Sequence, residues 1–240
     1  MRIQLWGFLL IAIAFLFLED ADALGQTPTG TASEFWPSLK ASIELRPKTS
    51  LHLWVEKHNG EDDSSLQWKT GALLSYRMKR ILKLRRSDID EENEHNLVVG
   101  VGYEYLRTTE NDETKSENRI IIEATPRYVP GAGFLLTDRN RIEFRWKNGS
   151  YNARYRNKLT IDRSLKVLNF NFKPYASGEL FYDRNDHSWE ENRYAFGVQL
   201  PYKKRLMVDT YYLRKNCTAC SQDHLNVWGL TLNLYFRRKR

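Results

Sequence analysis

The chain has 240 residues and a formal net charge of +7, from 37 lysine and arginine residues against 30 aspartate and glutamate residues. Its mean hydropathy is −0.61, and after residue 23 it contains no apolar run of the roughly 20 residues that a spanning helix needs. Composition therefore excludes a helical membrane domain beyond the N-terminus. The remaining classes are a soluble protein and a β-barrel, whose strands carry their membrane signal only as alternation.

Residues 1–23 have the features of a cleaved signal peptide. Arg2 precedes an apolar run from Leu5 to Leu18, and Ala21-Asp22-Ala23 supplies the pattern of small residues that signal peptidase recognises. The alternative is an uncleaved N-terminal anchor, for which the run is short. We expect a leader segment at residues 24–34, a barrel at residues 35–236 and a basic tail at residues 237–240.

Beyond the leader, apolar and polar side chains alternate at every second residue, which is typical of strands with one apolar face. Val99, Val101 and Tyr103 share one face, for example, while Gly100 and Glu104 lie on the other. The segments with this pattern are 35–46, 51–57, 66–77, 97–107, 118–128, 139–147, 150–161, 167–182, 191–200, 205–214 and 223–236.

Most of these eleven segments have about the 9–11 residues of a tilted transmembrane strand. Bacterial barrels have an even number of strands. We therefore expect an all-β fold, an antiparallel up-and-down transmembrane β-barrel of about twelve strands, with ten as the alternative. An asparagine and a glycine at residues 148–149 predict a tight hairpin between two of the strands.

Tyrosine and tryptophan recur near the ends of these segments, as the interfacial girdles of membrane barrels require. Examples are Trp36, Trp68, Tyr103, Tyr105, Trp146, Tyr151, Tyr182, Tyr194, Tyr212 and Trp228. This pattern favours the outer membrane of a Gram-negative bacterium over the alternative, a soluble exported β-protein.

The connections between segments fall into two alternating sets. One set is longer and acidic, at residues 57–65, 108–118 and 183–191, and the other is often short and basic. We expect the acidic set to face the cell exterior and the C-terminus to lie in the periplasm. The expected partners are outer-membrane lipid, lipopolysaccharide and the barrel-assembly machinery, and the expected oligomeric state is a monomer.

The chain resembles the family known as domain of unknown function 2490, a set of outer-membrane barrels. The resemblance extends from Phe35-Trp36-Pro37 to Phe236, and its best stretches are residues 99–107, 140–145, 151–159 and 174–182. It implies a barrel and supplies no activity or catalytic residue. One departure is that four basic residues follow Phe236, whereas such barrels usually end on the final aromatic residue.

The sequence offers little for catalysis, metals or cofactors. No histidine forms an H-x-S pair on a strand, so we expect no hydrolase, no other enzyme activity and no cofactor. Cys217 and Cys220 are expected to form a local disulfide in an oxidising envelope, with a metal site near His224 as the alternative. Nucleic acid is not an expected partner, because the positive charge is spread over strands.

The polar face of the strands is strongly basic. We predict fifteen inward-facing lysine and arginine residues against eight inward acids. Their densest part, a possible lumen-lining basic track, contains Arg119, Arg127, Arg141, Arg145, Lys147, Arg154, Arg156, Lys158, Lys173 and Arg193. The first functional hypothesis is a structural or envelope-surface barrel in which these charges neutralise inward acids. The alternative is a narrow anion-selective channel for small acidic solutes, because arginine pairs with carboxylates in a bidentate manner.

Overall fold

The computed structural model describes residues 31–59, 65–78, 97–110, 113–168, 170–202, 205–218 and 224–237, which are almost entirely β-strand. The strands are β1 (Thr31–Arg46), β2 (Thr49–Asn59), β3 (Ser65–Met78), β4 (Leu97–Glu110), β5 (Glu113–Gly131), β6 (Phe134–Lys147), β7 (Ser150–Arg163), β8 (Leu165–Val167), β9 (Phe170–Asp183), β10 (Ser188–Tyr202), β11 (Leu206–Cys217) and β12 (His224–Phe236). No helix in these ranges is long and apolar enough to cross a membrane. The candidate signal peptide lies outside the described residues.

Eleven of the twelve strands close into a barrel. Each wall strand is antiparallel to the next along the chain, with β7 pairing directly with β9. The barrel closes where β1 and β12 pair in parallel, from Thr31 beside His224 to Ile43 beside Phe236. This closure differs from the fully antiparallel barrel that the sequence predicts, because an odd number of alternating strands makes the first and the last run in the same direction. We call the two ends of the barrel the Thr31 end and the Phe236 end.

The eleven wall strands correspond one to one with the eleven alternating segments, and β8 brings the total to the expected twelve. β8 pairs only with the first residues of β9. Leu168, which follows β8, has a positive φ of 56°, so a tight turn interrupts the segment expected at 167–182. β1 begins at Thr31 rather than at residue 35.

Tight turns join several of the wall strands. Asn148 and Gly149 connect β6 to β7 with φ angles of 48° and 86°, as the asparagine–glycine pair predicts for a two-residue hairpin. At the Phe236 end, Gly131, Ala132 and Gly133 connect β5 to β6, all with positive φ. These turns fix the register of the adjacent strands, which sets the positions of the interior charges.

The outer face of the barrel is apolar and exposed. In the middle of the wall, Val101, Ile122 and Ile142 lie side by side on β4, β5 and β6 and are 43–54% exposed. Exposed aromatic residues lie toward both ends of the strands. Toward the Thr31 end are Phe35, Trp68, Trp146, Tyr151, Trp189 and Trp228, and toward the Phe236 end are Tyr76, Tyr128, Phe170, Tyr202 and Phe236.

A small hydrogen-bonded group interrupts this apolar outer face on β6 and β7. The amide of Asn157 donates to Asp138 over 2.6 Å and to the side-chain oxygen of Asn140 over 3.1 Å. The hydroxyl of Tyr155 also donates to Asn140, over 2.6 Å. The amide of Asn140 also donates to Asp138 on its own strand, over 3.1 Å. Each of the four residues thus has a hydrogen-bond partner within the group, which lowers the cost of its outward position.

The barrel interior has two chemically different sides. On β1, β10, β11 and β12, an apolar cluster of Trp36, Ala195, Leu213, Leu225 and Val227 fills the space toward the Thr31 end. The opposite side, from β4 to β9, carries buried or half-buried arginine and glutamate residues. The fold therefore places most of the interior charges opposite an apolar cluster, which Glu191, Arg193 and Lys215 flank on β10 and β11.

Candidate functional site

The centre of the charged wall is Glu143, which is 0% exposed. Because side chains of a strand alternate between faces, Glu143 points inward between β5 and β7. Arg156 on β7 donates to its Oε1 over 2.6 Å. Arg119 and Arg141 lie 3.8 Å from its two carboxylate oxygens. One wholly buried carboxylate thus holds three guanidinium groups in place.

The remaining carboxylates of the wall extend these contacts across six strands, from β4 to β7 and on to β9 and β10. Arg156 also donates to Glu179 on β9 over 2.9 Å, and Arg139 donates to the same oxygen over 2.8 Å. The other pairs are Arg119 with Glu104 and Glu117, Arg141 with Glu123, Arg145 with Glu117 and Asp183, and Arg154 with Asp183 and Glu190. Such a network gives each charge at least one oppositely charged partner, which lowers the cost of its burial. Oε2 of Glu143 and Nε of Arg154 are buried without a hydrogen-bond partner.

Two cavities lie inside the barrel, one toward each end. The cavity at the Thr31 end has a volume of about 270 Å³ and reaches Glu34, His58 and Lys215. The cavity at the Phe236 end has about 410 Å³ and reaches Lys40 and Asn233. They share the lining residues Trp36, Lys69, Arg119, Arg156 and Arg193. We call these five shared residues the waist.

Both cavities are lined by more cations than carboxylates. The lysines and arginines of the Thr31-end cavity are Lys69, Arg119, Arg154, Arg156, Arg193 and Lys215, against Glu34 and Glu143. Those of the Phe236-end cavity are Lys40, Lys69, Arg119, Arg139, Arg141, Arg156, Lys158 and Arg193, against Glu56, Glu104, Glu179 and Asp209. Low-dielectric walls focus the electrostatic field of such groups, so the excess of cations sets the sign of the charge that lines both cavities.

Aromatic rings hold the waist cations in position. The guanidinium of Arg193 lies 5.5 Å from the ring centre of Trp36 and 4.6 Å from that of Phe181. Arg156 lies at 4.6 Å from the same Phe181 ring. The Trp36 ring stacks on His58 with centroids 3.8 Å apart. These cation–π contacts restrain side chains that would otherwise be free to turn.

The structure divides the predicted basic track into three groups. Six of its residues line a cavity: Arg119, Arg141, Arg154, Arg156, Lys158 and Arg193. Arg145 and Lys173 instead form ion pairs away from both cavities, with Glu117 and Asp162. Arg127 and Lys147 also lie on lumen-facing positions without lining a cavity, and Lys147 is exposed beside the β6–β7 hairpin.

Several lining residues fall outside that predicted track. Lys40 and Lys69 share the inward alternation of their strands, and Arg139 shares the parity of Arg141 on β6, so alternation alone could have included them. Lys215 lies one residue beyond the expected end of its segment but within β11. The role of Phe181 is not visible in the sequence, because its contacts come from other strands.

A serine–histidine contact lies on the inner face of β1, β2 and β3. The hydroxyl of Ser75 donates to the backbone carbonyl of Ser50, so it accepts from Nε2 of His52 at 2.9 Å. Nδ1 of His52 then accepts from Ser42 at 2.9 Å. This chain ends on a backbone carbonyl, without the carboxylate that stabilises the imidazolium in serine hydrolases.

Two further features lie at the Thr31 end. Carboxylate oxygens of Asp183, Asp186 and Glu190 lie within 4.8 Å of one another beside the β9–β10 turn, and Arg154 pairs with Asp183 and Glu190. Cys217, the last residue of β11, is buried and disulfide-bonded. Cys220, its expected partner, lies outside the described residues.

The model of the family described as protein of unknown function (DUF2490) matches residues 33–225. The chain belongs to this family. No curated protein and no solved structure matches the chain. Family membership thus agrees with the resemblance of the sequence and carries no activity with it.

Proposed function

We propose that this DUF2490 protein is an outer-membrane barrel of a Gram-negative bacterium that admits small anions to its lumen. The membrane part of the proposal is supported by the outer face, where Phe196 and Trp228 are 65% and 60% exposed. Soluble proteins rarely expose a contiguous apolar surface of this kind. The candidate signal peptide at residues 1–23 supports export.

The orientation follows from the two sets of connections. The acidic sequences at residues 57–65, 108–118 and 183–191 all fall at the Thr31 end. The two ends differ in the charge of their connections rather than in length, because the longest connection, residues 79–96, joins β3 to β4 at the Phe236 end. The orientation rests on charge, since acidic exterior loops can share divalent cations with lipopolysaccharide. We therefore orient the Thr31 end toward the cell exterior and the Phe236 end toward the periplasm, with lipopolysaccharide and lipid around the wall.

The observation that carries the anion part is the excess of cations over carboxylates in both cavities. Four of the five waist residues are lysine or arginine, so an ion that passes between the cavities meets positive charge at the waist. A cation there would face unfavourable Coulomb energy, whereas a chloride or carboxylate would be attracted. The preferred solutes are small and acidic.

A second candidate function is a structural envelope barrel with a closed lumen. Its support is the ion pairing of the wall, in which Glu143 and its neighbours tie together strands β4 to β9. The apolar cluster around Trp36 also fills part of the interior. In this case the charges would stabilise the wall and conduct nothing. Neither function uses a cofactor or a catalytic residue.

Recording from the purified mature barrel in planar bilayers distinguishes these functions. In a potassium chloride gradient we expect small conductance steps. Their reversal potential should lie closer to the equilibrium potential of chloride than to that of potassium. Arg193→Gln removes a waist cation and is expected to reduce the chloride preference. Arg205→Gln is the matched control, because Arg205 is exposed beside β11 and lines neither cavity.

The folded state of each variant is checked by its mobility on unboiled gels, since folded barrels migrate differently from boiled ones. Folded protein that never conducts would support the structural barrel and refute the anion pathway. Conductance with no chloride preference, or an equal change in both variants, would also refute it.

A further inference from the structure

Two lysines in the Phe236-end cavity differ from the other cavity-lining cations. Lys40 and Lys158 line this cavity, and within the described residues no carboxylate forms an ion pair with either of them. Every lysine or arginine that lines the Thr31-end cavity does form an ion pair. In the Phe236-end cavity, Arg139 and Arg141 are paired as well. The unpaired positive charge is thus concentrated in one cavity.

The position of Lys158 explains why it has no carboxylate. In register it lies between Arg139 on β6 and Glu179 on β9. Oε1 of Glu179 already accepts hydrogen bonds from Arg139 and from Arg156, over 2.8 Å and 2.9 Å. Guanidinium groups therefore occupy one oxygen of the neighbouring carboxylate, and Glu179 acts on Lys158 electrostatically without forming an ion pair. Its ammonium is left facing the cavity.

Lys40 has no acidic neighbour in register. Its partners on the adjacent strands are Trp54 on β2 and Asn233 on β12. Glu56 and Asp209 interact electrostatically with Lys40, and Asp209 also interacts with Lys158, but none of these contacts is an ion pair. The carboxylate of Asp209 accepts hydrogen bonds from Tyr175 over 3.1 Å and from Gln199 over 3.2 Å.

We propose that Lys40 and Lys158 form a binding site for one small dianion, an oxyanion or a short dicarboxylate, in the Phe236-end cavity. Two ammonium groups without carboxylates balance the charge of a dianion and can donate charge-assisted hydrogen bonds to its oxygens. Lys158 is half-buried and Lys40 is exposed, so a solute can reach both ammonium groups. The two lysines repel each other electrostatically, and a bound anion offsets that repulsion. A volume of about 410 Å³ accommodates such a small ion.

Asn233 and Ser42 contribute neutral polar groups to the same cavity. Asp209 opposes anion binding, because its carboxylate repels an anion. The site therefore discriminates by charge, with a dianion preferred to a monoanion. This inference rests on the proposed function in one respect: the solute has to enter the lumen from one end.

Isothermal titration calorimetry tests the site. The folded full-length mature barrel in detergent micelles is titrated with potassium sulfate and potassium succinate as separate probes. Chloride at matched ionic strength is the monoanion comparison. We expect one saturable sulfate or succinate site per barrel. Because each lysine supplies a charge-assisted hydrogen bond, Lys40→Met and Lys158→Met should each weaken binding by about tenfold or more.

Three further variants separate charge from packing. Lys158→Arg keeps the charge and is expected to keep most of the affinity. Asp209→Asn removes the repelling carboxylate and is expected to tighten binding. Lys147→Met is the matched control, since Lys147 is exposed and lines neither cavity, and it should bind as the parent does. Unboiled-gel mobility confirms that each variant is folded.

The outcomes distinguish the site from the anion pathway. Saturable sulfate or succinate binding without bilayer conductance would refute the pathway and keep the site. Chloride-selective conductance without saturable binding of either dianion, or binding that survives Lys40→Met together with Lys158→Met, would refute the site. Succinate binding without sulfate binding assigns the site to dicarboxylates, and the converse assigns it to inorganic oxyanions.

Discussion

Glu143 and Arg156 form a hydrogen-bonded ion pair of 2.6 Å in the centre of the barrel, and Glu143 is completely buried. The pair joins β6 to β7, and Arg156 forms a second ion pair with Glu179 on β9. Because Arg156 also belongs to the waist between the two cavities, one residue links the stability of the wall to the charge of the lumen.

The first prediction concerns the stability of this pair. Glu143→Gln leaves three buried guanidinium groups without their central charge, and removing one partner of a buried pair costs about 3–5 kcal/mol. We expect the free energy of unfolding to fall by about 3 kcal/mol, measured by urea denaturation of the micelle-bound barrel with tryptophan fluorescence.

Glu44→Gln is the control for this variant. Glu44 lies near the Phe236 end of β1, and within the described residues it forms no ion pair. Its removal should change the free energy of unfolding by less than about 0.5 kcal/mol. Equal midpoints for the parent chain and Glu143→Gln would contradict the structural role of Glu143.

The second prediction concerns glycines that make room for interior tyrosines. A Cβ at Gly229 on β12 would lie 1.9 Å from Cζ of Tyr211, so any side chain there has to displace the ring. Gly229→Ala should lower the free energy of unfolding by about 1–3 kcal/mol. Gly178→Ala is the comparison, because a Cβ at Gly178 meets only Tyr194, at 3.8 Å. Similar unfolding midpoints for these two variants would show that Tyr211 does not constrain Gly229.

Local alternation predicts the wall of this barrel well. Each strand turns its polar face toward the lumen and its apolar face outward. Residues two apart on a strand therefore lie in the same environment. The inward positions of Lys40, Arg119 and Arg156 follow directly from this pattern. The asparagine–glycine pair at residues 148–149 likewise predicts its hairpin, because both residues tolerate positive φ.

The interior pairing could not be predicted in this way. Whether Arg156 meets Glu143 or another acid depends on the register between strands, and register is a relationship between segments. For the same reason the sequence did not separate the paired Arg145 from the unpaired Lys158, although both belong to the predicted track. The parallel closure at β1 and β12 follows from the odd number of wall strands. The sequence shows the same eleven segments, and the expectation of an even number led to the wrong prediction of antiparallel closure.

The third prediction tests the orientation of the barrel. The first residues of β1 and the β1–β2 turn lie at opposite ends of the barrel, so Ser33→Cys and Arg46→Cys should differ in accessibility. We expect a membrane-impermeant maleimide to label Ser33→Cys on intact cells and Arg46→Cys only after the outer membrane is permeabilised. Labelling of the parent chain is the background.

The two possible failures of this experiment have different meanings. Reversed labelling would show that the Thr31 end faces the periplasm, contrary to the proposed orientation. Labelling of both positions on intact cells would contradict the membrane barrel itself, because the two ends would then share one aqueous phase.

The fourth prediction separates a membrane barrel from a soluble one. Ile122 is 49% exposed on the outer face between Val101 and Ile142. In a soluble protein an exposed isoleucine tolerates arginine, with a change within about 0.5 kcal/mol. In a bilayer the same arginine faces lipid, and near the midplane it costs about 2–4 kcal/mol. Ile122→Arg should therefore fold less stably in phospholipid vesicles, as measured by urea titration.

Ser188→Arg, at an exposed position at the Thr31 end of β10, should match the parent chain because it lies beside the aqueous loops. If Ile122→Arg and Ser188→Arg unfold together with the parent, the outer face of this barrel does not contact lipid.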